Sequence, residues 1–137
     1  MMFPYKLNFT LEIWSDNDGG GSYEAYGSIS LNIGEYDFNQ NVIMWNLQKP
    51  SYIEAANGAS HFITNDHTFY ESEEFAHIGN VTAHGGVWEW DDLGDDDNGS
   101  PSGDVFQMKN CLNQDLKKHY PGYGAAYIKI TLKLTKL

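Results

Sequence analysis

Trp88 and Trp90 run directly into Asp91, Asp92, Asp95, Asp96 and Asp97 in the stretch WEWDDLGDDDNGSPSGD, with no Lys or Arg to balance them. Clustered carboxylates can hold a hard cation, attract a basic macromolecule, or solvate a connecting loop. As a helix-loop-helix calcium site the segment fails. Counting from Asp95 places Asp97 third, but Gly99 falls fifth, Ser100 sixth, and Phe106 occupies the twelfth place where a bidentate Glu belongs. An earlier loop, SDNDGGGS, offers Asp16 and Asp18 and then Gly20 where a further ligand is expected. Indole rings beside unpaired negative charge are better suited to meeting a cation-rich protein surface, with charge steering the encounter and aromatic area holding it.

Histidine supplies the second chemical candidate. His77 and His84 flank a Gly79-Asn80 dipeptide, and a hairpin turned there would put them with Phe75, Trp88 and Trp90 on one face. The opposite face, Ala76, Ile78, Val81, Ala83 and Val87, would be core. A zinc site would need further ligands that no other residue pattern supplies, so neither metal nor cofactor is assigned. Nucleophilic catalysis has no foothold: there is no G-x-S-x-G elbow, and the HGG at His84 is too short for an oxyanion loop. Cys111 reads as a small buried residue. No catalytic residue is assigned, and the chain is read as a binding protein rather than an enzyme.

Composition narrows the partner. Nineteen acids face eight bases for a formal net charge of -11, and every base is Lys. Without Arg there is no bidentate phosphate or guanine clamp, and the net field repels polyanions and anionic lipid, which argues against nucleic-acid and membrane partners. Six of the lysines follow residue 108, on elements where Lys would discourage edge pairing or orient an acidic body. The expected partner is therefore a basic protein such as a nuclease toxin, captured by an immunity-like inhibitor through Trp88, Trp90, the five aspartates, His77 and His84. A calcium-dependent carbohydrate-binding β module is the alternative. One cysteine, no basic-apolar leader and no apolar run long enough to cross a bilayer predict a cytoplasmic protein.

These residues need a scaffold, and strict alternation supplies one. Tyr5, Leu7, Phe9, Leu11 and Ile13 alternate with polar neighbours, as do Ala25, Gly27, Ile29, Leu31 and Ile33, so two strands are expected, joined as a hairpin through SDNDGGGS. Residues 36–47 give a third strand, and residues 48–59 a loop. HFIT-ND-HTFY reads as a further hairpin. Large aromatics on both faces of residues 81–90 predict a cover over the second face. Val105, Met108, Leu112 and Leu116 have helical spacing, with Ser102 as N-cap and Pro121, Gly122 and Gly124 as terminators, so an α-helix is expected there. Ala126 to Thr135 is a last strand. Length and pattern together predict one α+β domain over residues 1–137, mainly antiparallel β with six to seven strands and one helix near the C-terminus.

Overall fold

The computed structural model describes residues 1–16, 21–34, 40–91 and 94–137. Alternation dictates its main feature, two antiparallel sheets packed face to face. Strand β1 (Met2–Ser15) buries Tyr5, Leu7, Phe9, Leu11 and Ile13, and β2 (Ser22–Ile33) buries Tyr23, Ala25, Ile29, Leu31 and Ile33. Both faces match the expectation, but the hairpin does not form. β1 pairs with β5 (Ala59–Ser72) on one side and β10 (Tyr127–Lys136) on the other, whereas β2 lies in the opposing sheet. Two strands with one apolar face each bury both best by facing one another across the core, and here β1 and β2 lie in different sheets.

The four-stranded sheet runs β5-β1-β10-β9, with β9 spanning Leu116–Pro121. The other follows β3-β2-β6-β7, comprising β3 (Gln40–Leu47), β2, β6 (Asn80–Glu89) and β7 (Asp96–Gly99), with β4 (Ile53–Ala56) added to β2 and β8 (Asp104–Gln107) to β6. Residues 36–39 of the third expected strand lie outside the described residues. β4 falls within the segment expected to be loop.

Three further local expectations are corrected. β5 passes straight through Asn65-Asp66, because its whole length has a partner in β1 and, as an edge strand, it leaves both polar side chains exposed. Asn65 Nδ2 instead donates to the Met44 carbonyl of the opposing sheet, 2.9 Å away. At Gly79-Asn80 the hairpin is replaced by one helical turn, α1 (Phe75–Ile78), that leads into β6. It drives Phe75 edge-on against Tyr5 and Phe69 in the core and leaves Ile78 66% exposed, so the cross-strand pairings expected for Phe75 and His77 are absent.

The C-terminal α-helix is absent too. Residues 105–116 form β8, a 3-10 turn at Met108–Asn110, and the approach to β9. Ser102 at φ 49° and Asn113 at φ 57° take left-handed conformations incompatible with a continuous helix. Phe106, Met108 and Cys111 are fully buried in the core, Leu112 and Leu116 pack against it partly buried, and Val105 is 40% exposed. β10, by contrast, buries Ile128, Ile130, Leu132 and Leu134 as its alternation requires.

Among the described residues no helix is long and apolar enough to cross a membrane.

Candidate functional site

On β6 the core face takes Val81, Ala83 and Val87, so His84, Gly86 and Trp88 point outward from the six-stranded sheet. Trp90 follows on the same parity and is half-buried. Among the described residues no helix covers this face, and Trp88 remains 43% exposed. Of the histidines expected here, His84 is present, its Nε2 within 3.2 Å of Thr82 Oγ1 and 3.3 Å of Asn32 Nδ2. His77 stands apart, exposed on α1. Among the described residues no three His, Cys, Asp or Glu side chains gather as metal ligands.

The aspartate segment is not a free loop. Asp92 lies outside the described residues, and Asp91 is exposed and donates its backbone N–H to Asp95 Oδ1 at 3.0 Å. Beyond it the chain pairs with β6, Glu89 opposite Asp96 and Trp88 opposite Asp97. A register shift between Val87 and Trp88 leaves Asn98 as the extra residue of a β-bulge and turns it inward, where it is fully buried. Its Nδ2 donates to the carbonyls of Trp14 and Tyr127, both 3.2 Å away, tying β7 to the opposing sheet. Asp97 stays exposed while its carbonyl accepts the Tyr123 N–H at 2.6 Å.

Lys49 was invisible as a participant in sequence, because it lies far from the aspartates along the chain. It pairs with Asp95, and its ammonium sits 4.7 Å from the Trp90 ring centroid and 5.3 Å from that of Tyr26. Tyr26 donates its hydroxyl to Asp95, and Tyr52 meets Trp90 edge-on at 5.4 Å. The hydrogen bond from Lys49, followed by that from Tyr26, holds the Asp95 carboxyl down to about 2 from its ordinary 3.8. Burial, and then the same bond to Asp95, pushes the Tyr26 hydroxyl up to about 12. Asp95 is thus charge-paired within the fold, while Asp91 and Asp97 are exposed.

A pH dependence follows. With its folded-state value below its unfolded one, Asp95 contributes stability that is complete above about pH 4 and is lost as pH falls toward 2. Asp95→Asn should therefore lower the melting temperature at neutral pH and flatten its decline on the acid side. A melting curve against pH that superimposes on the wild-type curve would contradict this.

Beside the Lys49 cluster lies a groove of about 440 Å³ on the same sheet face, its walls formed by Tyr26 and Trp88 and its rim by Ser28, Gln48, Asp97 and Ser100. Its floor is glycine. Gly27 and Gly85 have φ of +138° and +100°, and a Cβ on either would stand 2.2 Å from the Gly86 carbonyl oxygen or 2.1 Å from that of Ser28. The sequence reading missed this depression. The signal was present in three glycines inside otherwise regular strands, a pattern that marks close backbone approach.

Charge is divided between the sheets. Six of the eight lysines lie on β1, β9 and β10 of the four-stranded sheet, while the described strands of the six-stranded sheet hold none. Glu24, Glu54, Asp96, Asp97 and Asp104 lie on that second sheet. Lys117 and Lys118, which precede the expected helix terminator Pro121, lie instead on the β9 edge strand.

No protein-family model matches this chain, and no curated protein matches it. Among solved structures it is similar to a chain of the crystal structure of the Cry23Aa1 and Cry37Aa1 binary protein complex, at 20% identity and a TM-score of 0.65. The match covers 96% of this chain and 98% of that one, so the likeness is one of fold over nearly the whole length of both.

Proposed function

We propose that this chain is a non-enzymatic binding protein that works in complex with another protein, presenting the acidic face of its six-stranded sheet to a basic partner surface. The observation that carries this reading is the separation of charge described above, a sheet whose described strands carry no lysine, where Lys49 is paired with Asp95 and exposed Trp88 lies opposite exposed Asp97. The near full-length fold likeness to a chain solved within a binary protein complex supports a protein partner. Burial pushes the Cys111 thiol up to about 11, which suits a packing residue better than a nucleophile. A basic nuclease restrained by an immunity-like inhibitor remains the specific form of partner that this charge distribution favours. Opposite charges on the two sheets would orient the protein during approach, and Trp88 with Trp90 would supply contact area after docking.

The test uses the partner recovered by co-purification and identified by mass spectrometry. Association is measured at two ionic strengths for the wild type and for a D91N/D96N/D97N variant, which spares the internally paired Asp95. The variant should associate about tenfold more slowly and with a flatter salt dependence. Equal on-rates, or hydrogen-exchange protection on the four-stranded sheet instead of β2, β6 and β7, would remove the proposal.

A further inference from the structure

We infer that the glycine-floored groove between Tyr26 and Trp88 is a metal-independent saccharide subsite that adjoins the proposed protein interface and shares Trp88 and Asp97 with it. A sugar ring combines an apolar C–H face with a perimeter of hydroxyls, and a site for it needs a flat aromatic surface beside short polar groups of both donor and acceptor kind. The groove offers that combination. Trp88 and Tyr26 are cross-strand partners on β6 and β2, so their rings flank the same depression. The Ser28 and Ser100 hydroxyls, the Gln48 amide and the Asp97 carboxylate surround it.

The polar rim is already held in place. Ser100 Oγ donates to the Gly85 carbonyl at 2.6 Å, Gln48 Nε2 donates to the Gly27 carbonyl at 3.3 Å and to Asn46 Oδ1 at 2.8 Å, and Asp97 Oδ1 accepts the Gly99 N–H at 2.9 Å. Rigid polar groups around an aromatic wall reduce the ordering cost of binding a small neutral ligand. At about 440 Å³ the groove falls within the ~300–1,000 Å³ range of small-molecule sites.

A lysine side chain from a protein partner is the competing occupant. The neighbouring cluster indicates what this chain builds for lysine: Lys49 lies against two rings and pairs with a carboxylate that also accepts a hydroxyl. The groove instead has one carboxylate among hydroxyl and amide groups, in a space larger than one alkylammonium chain fills.

Gly86 makes the inference testable. A Cβ there would stand 3.4 Å from the Gly99 carbonyl oxygen and Ser100 Cβ and 3.6 Å from Ser100 Oγ, so a side chain can enter the groove where Gly27 and Gly85 tolerate none. NMR titration of the folded protein would use glucose, galactose, mannose, N-acetylglucosamine, lactose, cellobiose and chitobiose, with EDTA present throughout. At least one should produce saturable shifts at the Trp88 indole N–H and the Gly85 and Gly86 amides, with affinity on the order of millimolar. Gly86→Leu should weaken that binding tenfold or more, Trp88→Ala should do the same should the leucine variant fail to fold, and Asp66→Asn, exposed on β5 of the opposite sheet, should leave it unchanged. No groove shift with any of these sugars, or shifts that persist in both groove variants, would overturn the inference. Shifts produced by an oligolysine peptide but by no sugar would also overturn it and assign the groove to the protein partner.

Discussion

Asn98→Asp is expected to destabilise the protein by about 3–5 kcal/mol at neutral pH, a large part of the ~5–15 kcal/mol that holds a typical domain together. Asn98 is fully buried, and its amide nitrogen donates to two backbone carbonyls, of Trp14 on β1 and Tyr127 on β10, each 3.2 Å away. A carboxylate in its place would turn two donated hydrogen bonds into two oxygen-oxygen repulsions in a site without solvent. Folding would then favour the protonated acid, whose single hydroxyl can still donate to one carbonyl. The folded-state pKa of the new Asp would therefore rise above its unfolded value, and the loss of stability should grow as pH increases and shrink in acid. Asn98→Ala, which removes the donors without adding charge, should cost less, about 1–3 kcal/mol, with little pH dependence. Urea unfolding of both variants at acid and neutral pH checks the claim. Equal midpoints for Asn98→Asp and wild type at neutral pH would mean that β7 is not fastened to the opposing sheet in this way.

Gly27→Ala should be comparably severe, with a loss of about 3–6 kcal/mol from combined backbone strain and overpacking. The residue lies mid-strand at φ +138°, and its added methyl would stand 2.2 Å from the Gly86 carbonyl oxygen and 3.2 Å from the Val87 Cα. Those are backbone atoms of a paired strand, so relief requires pulling β2 away from β6. Gly21→Ala separates the two causes. It also has a positive φ, +85°, but nothing lies within 4 Å of its would-be Cβ, so only the conformational cost of about 1 kcal/mol applies. Thermal melts of the pair should differ by well over the effect of the Gly21 change alone. Similar melts would show that the β2-β6 contact at Gly27 yields easily, and with it the groove floor.

Much of the inward face of this protein was legible in its amino acids. Alternation named most of the buried apolar residues of β1, β2, β6 and β10, because a strand with one buried face must put apolar side chains at every second position whichever neighbour it has, but extended back from β6 it put Phe75 and Ile78 on the wrong faces. The same rule placed His84, Trp88 and Trp90 outward. The excess of acids and the late clustering of lysines were likewise readable by counting, and they divide between the two sheets.

What alternation cannot carry is the identity of the neighbouring strand. β1 and β2 are consecutive and equally amphipathic, yet their apolar faces meet across the core, a choice made by the competition among the ten described strands for partners. Local turn chemistry lost for the same reason: Asn65-Asp66 stayed extended because β5 gains a full-length ladder with β1. The spacing of Val105, Met108, Leu112 and Leu116 suits a helix, but Phe106 and Met108 also suit a strand, and the free edge of β6 decided between them. The candidate site shows the limit most clearly. Lys49 reaches Asp95, and Asn98 reaches Trp14, over separations along the chain that no local pattern spans. Tertiary packing alone therefore set which aspartates face solvent, which one is charge-paired and which rings flank the glycine floor, since each outcome depends on strand neighbours fixed by the cooperative burial of the whole core.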